Sequence, residues 1–132
     1  MKKTLFLSVL ALISISARAE AAHNAAECPN LAGNYATQDG TQRMAISATN
    51  VPGGVTYSFG EGSNPVIADA GVHNLENGAT YVATCKQGVV KTDVSLNGQV
   101  VLSFTHSQVN GKGDVRAIST GMEQSDIVWL KQ

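Results

Sequence analysis

Apolar residues are distributed along this chain in two ways. From Leu5 to Ile15 they form a dense run without charge, and from residue 43 onward they alternate with polar residues. Met44, Ile46 and Ala48 share one face of their segment, with Ser47 and Thr49 on the other; Val55, Tyr57 and Phe59 alternate with Thr56 and Ser58. Tyr81, Ala83 and Cys85 again fall on a single face. A period of two is that of half-buried strands. Between these segments lie Asp39-Gly40, Pro52-Gly53-Gly54, Gly60-Glu61-Gly62, Glu76-Asn77-Gly78, Asn97-Gly98 and Asn110-Gly111-Lys112-Gly113, residues that supply the unusual φ values of tight turns. Turn signals at roughly 8–12-residue spacing mark a sandwich or barrel. No segment beyond residue 21 carries an apolar stripe of helical period. The pattern predicts an all-β fold: a small antiparallel up-and-down barrel of about eight strands, a closed form that removes exposed edges.

One hairpin can be read in register. A two-residue turn at Asn97-Gly98 pairs Leu96 with Gln99 and sets Asp93 opposite Leu102 and Lys91 opposite Phe104, mixing charge into an apolar face. A three-residue loop, Leu96-Asn97-Gly98, instead pairs Val94 with Val100, Thr92 with Leu102 and Val90 with Phe104. A slip of one residue flips every side chain to the other face, so face consistency predicts the three-residue loop with a bulge.

The N-terminal run changes the composition that matters. Met1-Lys2-Lys3, the apolar stretch and the small residues Ala17-Arg18-Ala19 and Ala19-Glu20-Ala21 follow the order of a secretory signal peptide. The apolar run falls short of the ~20 residues a spanning helix needs. Residues 1–21 are therefore expected to be a signal peptide cleaved after Ala19 or Ala21, with a periplasmic or secreted product. Residues 22–27 are expected to be a flexible lead-in, and 28–132 a single domain. The full chain carries nine Lys and Arg against ten Asp and Glu. Cleavage after Ala19 leaves six cations against ten acids, a net charge of −4, and cleavage after Ala21 gives −3. The six cations are scattered, whereas phosphate recognition needs them clustered, so nucleic acid is not an expected partner. Nor is a membrane span, since no second long apolar run follows. The only cysteines, Cys28 and Cys85, lack metal or redox spacing and in an oxidising compartment are expected to pair.

Cys28-Pro29-Asn30-Leu31-Ala32-Gly33-Asn34-Tyr35 resembles the first strand of lipocalin-like barrels, with Gly33-Asn34-Tyr35 matching the family's Gly-x-aromatic motif. The resemblance implies a calycin-type barrel whose first-strand aromatic plugs the floor; here that is Tyr35, where Trp is usual. The family's basic residue near the last strand has no match, since Lys131 is nearly terminal and Arg116 lies earlier. Small periplasmic lysozyme-inhibitor barrels, also exported and disulfide-bonded, are a related comparison, although no inhibitory motif maps onto this chain.

Candidate chemistry is sparse. His23 lies in the lead-in, His73 follows Asp69 by four positions across a glycine, and His106 continues the face of Phe104. The Asp69–His73 spacing reads as a turn, and His106 as a rim histidine bonded to backbone at a barrel mouth. No nucleophile elbow, phosphate-binding loop or calcium-loop spacing occurs, and the carboxylates Asp39, Glu61, Asp69, Glu76 and Asp114 sit at or near turns. The expectation is a non-enzymatic protein without cofactor or metal. Many small residues (Ala36, Ala45, Ala48, Ala83, Ala117) and few aromatics leave either a thin barrel or an unfilled interior. The leading reading is a barrel that binds a small, partly apolar ligand, with Tyr35, Tyr57, Phe59, Tyr81, Phe104 and Trp129 as candidate lining residues. Trp129 also suits closure of the core from the last strand. The alternative is a protein-binding module, such as a periplasmic inhibitor of a cationic hydrolase, whose encounter the acidic charge would speed.

Overall fold

A computed structural model describes residues 23–132. The expected signal peptide, 1–21, lies outside the described residues, as does Ala22. The fold is all-β. Its strands are β1 (Gly33–Ala36), β2 (Arg43–Val51), β3 (Gly54–Phe59), β4 (Val66–Ala68), β5 (Val72–Asn74), β6 (Thr80–Lys86), β7 (Val89–Leu96), β8 (Gln99–Val109), β9 (Asp114–Gly121) and β10 (Ser125–Lys131). All ten belong to one antiparallel sheet in which every consecutive pair but β4 and β5 is hydrogen-bonded. Pairing of β1 with β10, Tyr35 opposite Lys131, joins the first and last strands. The result is an up-and-down barrel closed except for a seam between β4 and β5. Its strands number ten rather than the expected eight or so. The segment around β4 and β5 explains the difference, because strands of three residues are too short for a period of two to register.

The alternating positions fall as the sequence implies. Tyr57 faces Ala48 across β2–β3, Tyr81 faces Val94 across β6–β7, and all four point inward. Leu31, Tyr35, Tyr57, Val90 and Val115 are fully or almost fully buried at the centre of the core. A buried tyrosine needs a partner for its hydroxyl. Tyr35 donates to the Leu31 carbonyl at 2.7 Å and Tyr57 to the Pro29 carbonyl at 2.6 Å, so both rings pin the chain that leads into β1. Burial pushes the Tyr57 hydroxyl up to about 12, and burial followed by the Asp114 charge raises Tyr35; both remain donors at neutral pH.

The segment ahead of β1 is also anchored. Residues 23–27, expected to be part of a flexible lead-in, contain a 3-10 turn, Ala25–Glu27, capped by the Asn24 side chain. The Asn24 amide donates to the Cys85 carbonyl, and the Gly88 amide to the Glu27 carbonyl. His23 Nδ1 accepts from the Cys85 amide at 2.8 Å, which places the ring proton on Nε2, 2.9 Å from the Gly53 carbonyl. Composition gave no sign of this, because the anchoring groups are backbone atoms of β6, the β6–β7 turn and the β2–β3 turn. The Cys28–Cys85 disulfide, with Cα atoms 4.8 Å apart, fastens the same segment to β6.

The β7–β8 hairpin corrects the register reading. Leu96 pairs directly with Gln99 around a two-residue turn, with Asn97 and Gly98 at φ 53° and 79°. Asn-Gly is the strongest sequence signal for this type I′ geometry, and it prevails over the three-residue loop. The bulge is present but lies inside the hairpin: the register shifts between Val94 and Ser95, leaving Val101 as the extra residue. Beyond it Val94 faces Leu102, Thr92 faces Phe104 and Val90 faces His106. The expected faces are therefore kept while each partner moves by two positions. Gly121, opposite Leu102, makes room for the bulge; its φ is +99°, and a Cβ built there would lie 2.4 Å from the Val101 carbonyl oxygen.

Three stability outcomes follow from this geometry. Gly98→Ala, at a positive φ with open space around it, should cost about 1–2 kcal/mol from backbone strain alone. Gly121→Ala should cost more, since strain and a backbone clash combine, and equal urea midpoints for the two variants would remove the bulge from the account. Replacing Cys28 and Cys85 together by serine should cost about 2–4 kcal/mol in the same assay.

Candidate functional site

The seam is bridged by two hydrogen bonds. The turn after β4 brings the Ala70 amide to the Ala83 carbonyl, and the Ile67 amide donates to the Tyr81 hydroxyl, each at 3.0 Å. Residues from both sides of the seam line a cavity of about 280 Å³. Phe59 comes from β3, Asn64 and Pro65 from the following loop, and Val66 from β4. Leu75 follows β5; Tyr81 comes from β6, Thr92 and Val94 from β7, and Phe104 and His106 from β8. The lining is overwhelmingly apolar and includes no Asp, Glu, Lys or Arg.

The six aromatic candidates divide evenly. Phe59, Tyr81 and Phe104 line the cavity. Tyr35 and Tyr57 are fully buried in the packed core, and Trp129, opposite Val115, packs against that core from β10. Thr92, Val94 and His106 are lining residues the candidate set lacked. Their signal was available, because each shares the inward face of its strand with a residue already chosen or with Val90. Asn64, Pro65, Val66 and Leu75 had no such signal; loops and a three-residue strand reach the cavity only through tertiary closure.

His106, expected to be a rim histidine bonded to backbone, has no such bond at Nδ1. Its ring stacks on Phe59 with centroids 4.1 Å apart and planes 17° apart. Burial holds its pKa down, at about 4, so the imidazole is neutral at pH 7. Nδ1 is buried without a hydrogen-bond partner in the protein, and so is Thr92 Oγ1. These two are the buried side-chain polar atoms that lack partners among the described residues, and both belong to residues that line the cavity, although neither atom is itself open to it.

On the other side of Tyr81 is a second constellation. Asp69 Oδ1 lies 2.8 Å from His73 Nε2 and accepts from the Gly71 amide at 2.9 Å. The sequence reads this spacing as a turn, and the structure has both the turn and a hydrogen bond between the two side chains. The His73 hydrogen bond, then the Gly71 amide, holds the Asp69 carboxyl below the usual carboxylate range. The His73 ring stacks on Tyr81 at 5.1 Å, bracing the wall shared by the cavity and a shallower outer cleft. Among the described residues no three His, Cys, Asp or Glu side chains converge on a point, and no helix is long and apolar enough to cross a membrane. No protein family, curated protein or solved structure matches this chain. What the site offers chemically is apolar surface and a flat stacked pair, with the two unpartnered polar atoms enclosed behind that surface.

The buried histidine gives a pH signature. The unfolded chain takes up its proton near pH 6.5, whereas the folded state resists until about pH 4. Between those values the unfolded state binds more protons, so stability falls as pH falls, by about 3 kcal/mol across the window. His106→Phe, compared with the parent by urea unfolding at pH 7.5 and 4.5, should remove about 2–3 kcal/mol of that loss. Parallel losses in the two proteins would show that His106 is not the buried titrating group.

Proposed function

We propose that this protein is an exported, non-enzymatic barrel that carries a small, partly apolar molecule in its interior. The observation behind the reading is the apolar cavity of about 280 Å³ at the seam, walled by Phe59, Tyr81 and Phe104. An apolar cavity of about 150 Å³ admits benzene, so this volume suits roughly two fused rings. Closure at the seam rests on few backbone bonds, which gives a ligand a short way in. The lipocalin-like resemblance agrees with the reading, since Tyr35 lies in β1 as a buried ring bonded to Leu31. Export is supported by the Cys28–Cys85 disulfide, which suits an oxidising compartment.

Recognition of a protein is the second reading, and one observation favours it. Leu96, Val100 and Met122, at the tips of the β7–β8 and β9–β10 hairpins, are 41%, 58% and 77% exposed. Those tips are adjacent, because the Met122 amide bonds the Val101 carbonyl.

The cavity reading is tested by titrating isotope-labelled protein with naphthalene and following methyl resonances. Val66, Leu75 and Val94 should shift, while the core methyls of Val115 should not. Val94→Phe, which fills the cavity from β7, should weaken binding at least tenfold with the fold retained by circular dichroism. Unmoved lining methyls, or undiminished binding by the filled variant, would overturn the reading.

A further inference from the structure

The net charge of residues 23–132 sits at one end of the barrel. Successive strands run in opposite directions, so the turns after β1, β3, β5, β7 and β9 share an end. Asp39, Glu61, Glu76 and Glu123 stand in those turns, and all four are exposed. Among the described residues none of them belongs to an ion pair. One cation, Arg43 at the start of β2, accompanies them. Elsewhere in residues 23–132 five acids face five cations, so the net charge of −3 resides at this end.

The seam cavity reaches the surface at the same end. Asn64 and Pro65 are exposed in the turn after β3, and Leu75 leads into the turn after β5. The same three residues border the outer cleft, to which Glu76 adds a carboxylate. No Lys or Arg lines either space. The charge of a ligand bound here has two places to go. Inside, the lining has no charged side chain and His106 is neutral at pH 7, so an ion gives up its hydration and meets no counter-charge. At the mouth the charge stays hydrated, within the field of the four carboxylates. A surface of one sign concentrates the opposite ion near it and repels its own. An anionic group is therefore disfavoured in both places, and a cationic group only in the first.

Resting on the cavity reading above, we propose that the ligand is a cationic amphiphile: a flat apolar body of about two rings in the seam cavity, with an amine left in water at the mouth, on the side bordered by Glu76. Glu76 is then a specificity-determining residue that acts through its charge, and the aromatic walls supply most of the contact area.

Three probes of one shape test this: 2-naphthylmethylammonium, 2-naphthylmethanol and 2-naphthylacetate, titrated at pH 7 and followed by the same methyl resonances. In about 0.01 M salt, where charges act over ~30 Å, the ammonium should bind severalfold tighter than the alcohol and about tenfold tighter than the acetate. In about 1 M salt that range falls to ~3 Å, and the three affinities should converge to within about threefold. Glu76→Lys should cut the preference for ammonium over acetate severalfold while changing the affinity for the alcohol less than twofold. Lys112→Glu, an equal change of charge in the β8–β9 turn at the opposite end, should leave the preference within twofold of the parent. If no probe moves the lining methyls, the cavity reading falls and this proposal with it. If the alcohol binds but the ammonium binds no tighter, or the acetate binds as well, the proposal falls while the cavity reading stands. A preference that survives high salt, or that Lys112→Glu moves as far as Glu76→Lys does, would likewise overturn it.

Discussion

The hydrogen bond from the Ile67 amide to the Tyr81 hydroxyl is the interaction through which this barrel closes. A sheet that begins and ends in three-residue strands has two edges, each with unpaired backbone groups that invite association. Here those edges meet without forming a ladder. A side-chain oxygen from β6 takes the place of the missing strand partner, and the Ala70–Ala83 bond supports it. Tyr81 can serve in this way because its ring is fixed on two faces. Inside it belongs to the core, and outside it stacks on His73, which Asp69 holds in turn. The same ring is a wall of the cavity, so the geometry of closure and the shape of the site are one constraint.

The remainder of the barrel can be described as two ends of different stiffness. Along the β6–β7 pair, Cys85 and Val90 face each other and are fully buried. At that end the disulfide, the His23 contacts and the Tyr35 and Tyr57 hydroxyls all converge on the chain before β1. Four rungs away on the same strands, Tyr81 and Val94 border open volume. A chain with many small inward residues cannot fill a ten-stranded interior at uniform density. The packing deficit is gathered at the seam, where few backbone bonds must be disturbed, and the opposite end is cross-linked.

Much of this was legible from the period of two. Alternation places Tyr57, Phe59, Tyr81, Cys85 and Phe104 on inward faces, and the structure has them there. The hairpin shows the limit. Face consistency chose the correct faces for Val90, Thr92 and Val94, yet two geometries satisfy it, a longer loop or an internal bulge. Asn97-Gly98 favours the second through the intrinsic preference for a type I′ turn, and Gly121 across the sheet provides the space. That glycine is distant in sequence from the hairpin it permits, so no local reading links the two. The same limit hid part of the site. Asn64, Pro65 and Leu75 flank strands too short to announce themselves, and reach the cavity only because β4 and β5 fail to pair.

His106 shows why the sequence reading and the structure part company at this site in particular. An inward position next to Phe104 is where strand patterning calls for an apolar side chain, and Leu or Phe there would cost nothing at mildly acid pH. Histidine instead is destabilising as pH falls, and it brings a buried nitrogen that the protein does not satisfy. Thr92, across the β7–β8 pair, adds a second such atom where valine would fit the same space. Departures from local consistency tend to concentrate where a protein gives up stability for function. Two of them, neighbours on the sheet in residues that line the same apolar cavity, make the seam the place where this barrel departs most from local consistency.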